Sequence, residues 1–411
     1  MTVQTSPAPG IRRNLTLLVL AQIGGMSLWF VSSAILPELT REAGIGPWRA
    51  GLLSSAVQVG FVLGALVLAV NGTSDRYDPR RVFASAAAIA ALSNAALVVT
   101  PPGGDLQILL RGVTGLCLAG VYPVGMKIAV GWTLRRRGLV VGLLVGALTL
   151  GSAAPHGLSL IGGPDWRSTV FLASLLAAAA AGLILLTRAG PHHAGAARFD
   201  RDALRLAWRL RPVRLAYAGY LCHMWELYAF WAWIGVALTA SFTLAGLADP
   251  ATAARWTSFA AIGLGGLACL PAGALADRIG KAQVAGCAMG LSGALALATA
   301  ASFGGPPVLV ITLALAWGIC VIPDSAQFSA LVADHAPAEH AGSLLTLQTA
   351  FGFALTAITV QAAPFLAAGL GWPLTLALFG AGPLLGVKAM QRLARLRAAP
   401  ETDQPIKEKI A

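Results

Sequence analysis

Charge is scarce in this sequence. Of 411 residues, 11% are Asp, Glu, Lys or Arg and 57% are hydrophobic, where soluble domains run about a quarter charged and under half apolar. That balance excludes an ordinary water-soluble globular protein. Cysteine is scarcer still. The five present (Cys117, Cys222, Cys269, Cys287 and Cys320) lie in apolar stretches without paired spacing, so neither a zinc site nor a secreted disulfide framework is expected. They read as small buried hydrophobes. No H-E-x-x-H occurs, which removes the ligands of an intramembrane metalloprotease. The stretch "GLSG" at 290–293 offers a serine, but no later span holds a histidine to serve as its base. An enzyme is therefore not expected, and neither a cofactor nor a metal is implied.

Long apolar runs are what the chain has in quantity. About 20 residues of helix cross a bilayer, and such runs fall at 15–37, 48–70, 82–100, 105–131, 138–161, 168–187, 213–241, 255–276, 282–302, 306–331, 342–366 and 372–390. The expected fold is an all-α membrane protein of twelve transmembrane helices. The opening "MTVQTSPAPGIRRN" imitates a signal peptide, but the run after it is too long for an h-region and reads as an uncleaved first span.

The formal charge of +12 needs placing before it is interpreted. With a cytoplasmic N-terminus, 23 of the 29 Lys and Arg fall in cytoplasmic segments, four (Arg41, Arg49, Arg167, Arg255) fall outside, and Arg111 and Lys127 fall within a span. This positive-inside bias sets the orientation, with both termini cytoplasmic in a cell (inner) membrane. The basic balance thus reflects topology and the lipid bilayer, and no nucleic acid partner is expected.

The polar stretch 188–212 separates two halves, an N-terminal six-helix bundle over 1–187 and a second over 213–390, with a cytoplasmic tail over 391–411. Within the linker Arg198, Arg201, Arg205 and Arg209 recur at helical spacing while Leu204 and Trp208 share another face, the pattern of an amphipathic helix lying on a leaflet. The halves repeat each other. "NGTSDRYDPRR" follows the second span, "GALADRIGK" follows the eighth, and an Asp-Arg pair stands at the same relative place in each. A parallel duplication of six-helix units, with a site between them near the midplane, is a recurrent architecture of secondary transporters.

These residues carry a family resemblance over nearly the whole chain. The second loop resembles the G-x-x-x-D-R-x-G-[RK] motif of the major facilitator superfamily through Gly273, Asp277, Arg278, Gly280 and Lys281. The first copy keeps Asp75, Arg76 and Arg80 but has Asn71 for the leading Gly and Asp78-Pro79 for Gly-Arg. "LLRGVTGLCLAG" resembles the family's intramembrane Arg-x-x-x-Gly pattern through Arg111 and Gly115. The resemblance implies two pseudo-symmetric bundles, transport by alternating access, and a cytoplasmic gate in which Asp75 and its arginines bridge to the cytoplasmic end of the eleventh span, near Gly342 and Ser343, when the transporter faces outward. "GALTLGSAAPHG" at 146–157 departs from the family's antiporter signature, since Pro155 stands four residues after Gly151 and His156 intrudes. The direction of transport is left open.

An ionisable group at mid-helix costs about 2.5 to 3.5 kcal/mol on insertion scales, so each such group needs a partner, a wet cavity or a role. Glu226 sits about nine residues into the seventh span, roughly 14 Å deep, and His223 lies one turn nearer the cytoplasm on the same helical face. A buried carboxyl beside an imidazole is a candidate proton-coupling site, and equally a hydrogen bond that packs two helices. Asp324, just after Pro323 in the tenth span, and Arg111 in the fourth complete the candidate proton and substrate residues. Lys127 reads as snorkelling to the cytoplasmic surface. Gln22, Trp29, His156, Trp233, Trp317 and Thr346 are the candidate cavity lining, although such groups in lipid often only hold helices together. The expected partners are a small-molecule substrate and protons, with the chain a monomer. The leading expectation is proton-coupled transport of a small organic molecule; the alternative is a symporter or exchanger of a small anion held through Arg111.

Overall fold

The computed structural model describes residues 10–71, 76–132, 137–163, 165–188, 190–191, 202–337 and 340–398. Among these residues there is no strand, and the helices follow the apolar runs. The first span, α1, is Ile11–Met26 and Val31–Ala43 with a non-helical turn between them. Then come α2 (Pro47–Asn71), α3 (Pro79–Ala95), α4 (Asp105–Leu118 and Tyr122–Val130), α5 (Arg137–Gly162) and α6 (Trp166–Leu185). A short helix, Asp202–Arg209, precedes α7 (Arg211–Leu244), α8 (Pro250–Ile279), α9 (Lys281–Ala301) and α10 (Pro307–Val321 and Ser325–His335). The last helical stretch, Ala341–Ala398, is 58 residues long, roughly 87 Å at 1.5 Å per residue and nearly three times the thickness of a bilayer core. It folds over at Gly371 (φ 79°, ψ 161°), a left-handed conformation that glycine adopts without penalty, giving α11 before the break and α12 after it. The count is thus twelve spans, as the apolar runs require.

Local chemistry sets the helix ends. Asp78 accepts from the Arg80 N–H at 3.0 Å and caps α3, Asp165 accepts from the Arg167 N–H at 3.0 Å and caps α6, and Asp249 accepts from the Thr252 N–H at 3.1 Å to cap α8. Between α8 and α9 the chain turns at Gly280 (φ 104°), where a Cβ would also meet the Gln283 side chain at 2.3 Å. The interruption of α10 falls at residues 322–324, where Pro323 withdraws a backbone donor.

The duplication reappears in how the helices touch. On α2 and α4, a Cβ on Gly60 would lie 2.0 Å from the Gly112 carbonyl and one on Gly115 would lie 2.1 Å from the Val57 carbonyl. On α8 and α10, the same construction puts Gly318 2.2 Å from the Ala261 carbonyl and Gly265 2.4 Å from the Gly318 carbonyl. Small residues let backbones approach where lipid supplies no hydrophobic drive, and each half uses this at its second and fourth helices. Gly115, noticed as part of a sequence pattern, is needed for this contact.

The helices alternate in direction, so the ends of α2, α4, α6, α8 and α10 share one face, beside which the described residues Arg76, Arg80, Arg81, Arg188, Arg278 and Lys281 lie; we call it the basic face. On the far face three of the four arginines are matched with carboxylates: Arg49 with Asp105 at 2.9 Å, Arg167 with Glu42 at 2.7 Å, and Arg255 with Glu38. In the linker, Asp202–Arg209 buries Ala203 and Ala207 and exposes Leu204 and Trp208, while Arg198 and Arg201 lie outside the described residues.

Candidate functional site

The turn that interrupts α1 places Trp29 and Phe30 between the two halves. Arg111 of α4 holds that turn: its guanidinium donates to the Leu28 carbonyl at 2.9 Å, the Trp29 carbonyl at 2.6 Å and Asn94 Oδ1 of α3 at 2.9 Å. The interruption takes those two carbonyls out of the helical ladder, and a buried arginine with a rigid fork of donors satisfies them. Both terminal nitrogens of Arg111 are therefore engaged inside the N-terminal half. Its Nε is buried without a partner among the described residues, so an anion held directly on Arg111 would have to use that nitrogen or displace one of these bonds.

Above this clamp six aromatic rings meet across the interface. Trp29 lies 4.8 Å from Phe61 and 5.6 Å from both Tyr228 and Phe353. Phe30 packs edge-on against Trp231 at 5.7 Å, and Tyr228 lies 5.3 Å from Trp231. All six rings are buried. The indole N–H groups of Trp29 and Trp231 are buried without an acceptor among the described residues, as are both ends of the Gln22 and Gln348 amides, Ser33 Oγ, Ser152 Oγ and His156 Nε2. Natural interiors leave few such groups, so a set of them gathered along the inner helices marks a place built to receive hydrogen bonds from something else. Gln22 is pressed against Gly125 of α4, where a Cβ would come within 2.2 Å of its Oε1.

The threonines behave differently. Thr346, Thr349 and Thr356 return their hydroxyls to the carbonyls of their own helix at 2.8 to 3.0 Å. Thr346 is exposed, two turns from Phe353 on the same face of α11, so this face becomes accessible on the basic side of the aromatic rings. On the far side the halves are joined. Arg255 of α8 pairs with Glu38 of α1, Ser55 of α2 donates to Gln361 of α11 at 2.7 Å, and Trp48 packs on Phe365 at 5.7 Å.

The intramembrane acids pair otherwise than their spacing on α7 suggested. Glu226 accepts from Trp317 Nε1 of α10 and Ser292 Oγ of α9, both at 2.8 Å. His223 faces Asp324 instead, Nδ1 to Oδ1 at 2.9 Å, at the break in α10, with the Phe328 ring tilted against the imidazole at 5.4 Å. The three-residue spacing put His223 and Glu226 on one face correctly but could not show that partners from α9 and α10 would divide them. Trp233 is also placed inside the C-terminal half, donating to the Val360 carbonyl at 3.0 Å, and Trp317 serves Glu226; neither reaches the N-terminal half through a recorded bond.

Of the expected basic-face gate, Asp75 lies outside the described residues. Arg76, Asp277 and Arg278 are exposed. Arg80 pairs with Asp78 at 2.6 Å and donates to the Thr187 carbonyl at 2.9 Å, tying α3 to the end of α6, and Lys281 pairs with Asp334 at 2.7 Å, tying α9 to α10. Both contacts stay within one half. Gly273 has no atom near the position a Cβ would take, so packing does not demand glycine there.

Sequence reading missed Tyr228, Trp231, Phe353, Gln348, Glu38 and Arg255. The Tyr228–Trp231 pair at three-residue spacing and the glutamines Gln348 and Gln361 in the apolar eleventh run were the available signals. The Glu38–Arg255 pairing, 217 positions apart by number, left none.

A sequence profile described as the Major Facilitator Superfamily matches residues 17–248. The chain is 28% identical over 162 residues to the gallate transporter of Pseudomonas putida, covering 36% of each chain. It is likewise 28% identical over 188 residues to the 4-hydroxybenzoate transporter PcaK of Acinetobacter baylyi, covering 42% of this chain and 38% of that one. These matches span well under half of either relative. A solved structure of a mutant nucleoside transporter NupG superposes with a TM-score of 0.70 at 14% identity, covering 93% of this chain and 99% of that one, which is a likeness of fold.

Proposed function

Because the chain belongs to the major facilitator superfamily, we propose that it is a secondary transporter moving a small aromatic carboxylate across the membrane by alternating access, coupled to protons. The observation that carries this reading is the cluster of six rings drawn from both halves, two of them indoles with unused N–H donors. Planar rings favour offset or tilted contact with an aromatic ligand, and an indole N–H offers a hydrogen bond to a phenol or carboxylate oxygen. Gallate and 4-hydroxybenzoate, named for two partial relatives, have this form: a flat ring bearing a carboxylate.

The positive-inside bias makes the basic face cytoplasmic in a cell membrane. With the halves joined on the far face through Glu38–Arg255, Ser55–Gln361 and Trp48–Phe365, the conformation reads as closed on the outer side. Proton coupling is assigned to His223 and Asp324, a buried acid–base pair at the break within the α10 span, with Glu226 one turn from His223 on α7. A break of this kind lets a helix pivot, so a change of charge there is positioned to bias the two states.

The test of the substrate site is equilibrium binding of 4-hydroxybenzoate to purified protein. Trp231→Phe keeps the ring and removes the N–H, and one neutral hydrogen bond of about 0.5 to 1.5 kcal/mol corresponds to an affinity loss of about two- to tenfold. Unchanged affinity in both Trp231→Phe and Trp29→Phe would remove the indoles from the site.

A further inference from the structure

The far-face seam holds more than a latch. Beside the Glu38–Arg255 pair is a small cavity between α1, α5, α7 and α8, lined among others by Ser33, His156, Gly235 and Arg255, with about 10 Å³ of accessible room. That is about the size of one water. Gly235 makes space for the imidazole: a Cβ there would stand 3.3 Å from His156 Cε1. His156 is 2% exposed and Ser33 is 3% exposed, and neither His156 Nε2 nor Ser33 Oγ has a partner among the described residues. Glu38 and the Arg255 side chain are themselves largely buried.

Four polar groups thus converge on one seam, yet only two of them satisfy each other. Groups that are buried and unpartnered in a closed state are accounted for if they find partners when it opens. The donors available to a visitor are a guanidinium, a hydroxyl and an imidazole, and the group competing for the guanidinium is a carboxylate. That combination selects an anion. A carboxylate arriving from the far side can take the place of Glu38 on Arg255 with the same charge-assisted geometry, while Ser33 and His156 supply further hydrogen bonds.

We propose that Glu38, Arg255, Ser33 and His156 form an anion-operated outer gate. The carboxylate of an incoming substrate exchanges for the Glu38 carboxylate on Arg255, so that recognition of the anion and release of the far-face seam are one event. The exchange breaks one ion pair and makes another and needs no co-reactant. It rests on the reading that the substrate is a carboxylate. It adds to that reading an entry site about two turns along α1 from the aromatic rings, and it gives the two members of the pair opposite roles: Glu38 competes with the substrate and Arg255 receives it.

The experiment is binding of 4-hydroxybenzoate and of its neutral analogue 4-hydroxybenzamide to full-length protein. It is combined with spin-label distances across the far face between Gly46→Cys and Ala248→Cys, two exposed loop positions, after replacement of the native cysteines. Glu38→Gln is expected to lengthen the far-face distance without ligand and to raise carboxylate affinity several-fold. Arg255→Gln is expected to lengthen it equally but to lower carboxylate affinity about tenfold and abolish preference over the amide. The charge-swapped Glu38→Arg/Arg255→Glu pair, which guards against misfolding of the single variants, is expected to restore the short distance without restoring that preference. Equal affinity changes in Glu38→Gln and Arg255→Gln, or full carboxylate preference in the swapped pair, would reduce the seam to a structural latch and overturn the proposal. If wild-type protein binds acid and amide alike while the distances respond as stated, the carboxylate reading of the substrate fails instead.

Discussion

Replacing Arg111 separates a clamp from an anion site. Its guanidinium donates three bonds of 2.6 to 2.9 Å, two to carbonyls in the turn that interrupts α1 and one to Asn94. Hydrogen bonds to a charged group contribute about 1.5 to 3 kcal/mol each, but three bonds to one side chain do not add, so Arg111→Met is expected to cost about 3 to 5 kcal/mol. Arg111→Lys keeps the charge but replaces a planar fork by a single compact donor, and it should fall between wild type and Met. The assay is the temperature at which half of the purified protein stays monodisperse after heating in detergent, paired with hydrogen exchange over residues 27–34. The expected order of stability is wild type, Lys, Met, with faster exchange in the α1 turn and loss of binding that follows the loss of fold. A Met variant as stable as wild type that binds a carboxylate probe more than tenfold more weakly would refute the clamp and make Arg111 a direct ligand.

Three further outcomes follow from the same geometry. Gly115→Ala and Gly318→Ala, whose added Cβ atoms would stand 2.1 and 2.2 Å from backbone on a neighbouring helix, should each lower thermal stability, whereas Gly182→Ala, with nothing within 4 Å, should be neutral or slightly stabilising in the same assay. The Arg80 side chain, hydrogen-bonded to Asp78, holds that carboxyl below the usual range. A carboxyl so depressed stabilises fully above its unfolded value near 3.9 and loses that contribution as pH falls through its lower folded value, so Asp78→Asn should narrow its gap from wild type only in acid and not between pH 8 and 5. Glu226→Leu, which strands the Trp317 N–H and the Ser292 hydroxyl, should unfold at a lower temperature than Glu226→Gln, which still accepts from Trp317; equal stability of the two would show that those bonds contribute nothing.

The architecture was legible because its signals are local and repeated. Apolar runs of spanning length, a charge bias between faces, and a loop motif present twice each follow from residues near one another in the chain, and twelve spans result. The helix break at Pro323 has an equally local cause, the missing backbone donor of one residue. Partner choice was not. His223 and Glu226 lie on one helical face as spacing requires, but which helix packs on each is decided by the bundle, and α9 and α10 supply Ser292, Trp317 and Asp324. Arg111 reads from sequence as an isolated intramembrane cation open to a relay water, an anionic substrate or a carboxylate partner. In the fold, two carbonyls freed by a broken helix and one amide answer it, and only the broken helix, invisible to hydropathy, explains why.

The central claim is that substrate and proton move together through the C-terminal acid–base pair. It is tested most directly in proteoliposomes holding a pH-sensitive dye, with 4-hydroxybenzoate added outside, for wild type and Asp324→Asn. The account predicts substrate-dependent proton movement in wild type, its loss in Asp324→Asn, and persistence in that variant of exchange between internal and external 4-hydroxybenzoate, because the ring site is intact. Proton movement undiminished in Asp324→Asn, or wild-type accumulation indifferent to collapse of the pH gradient, would contradict it.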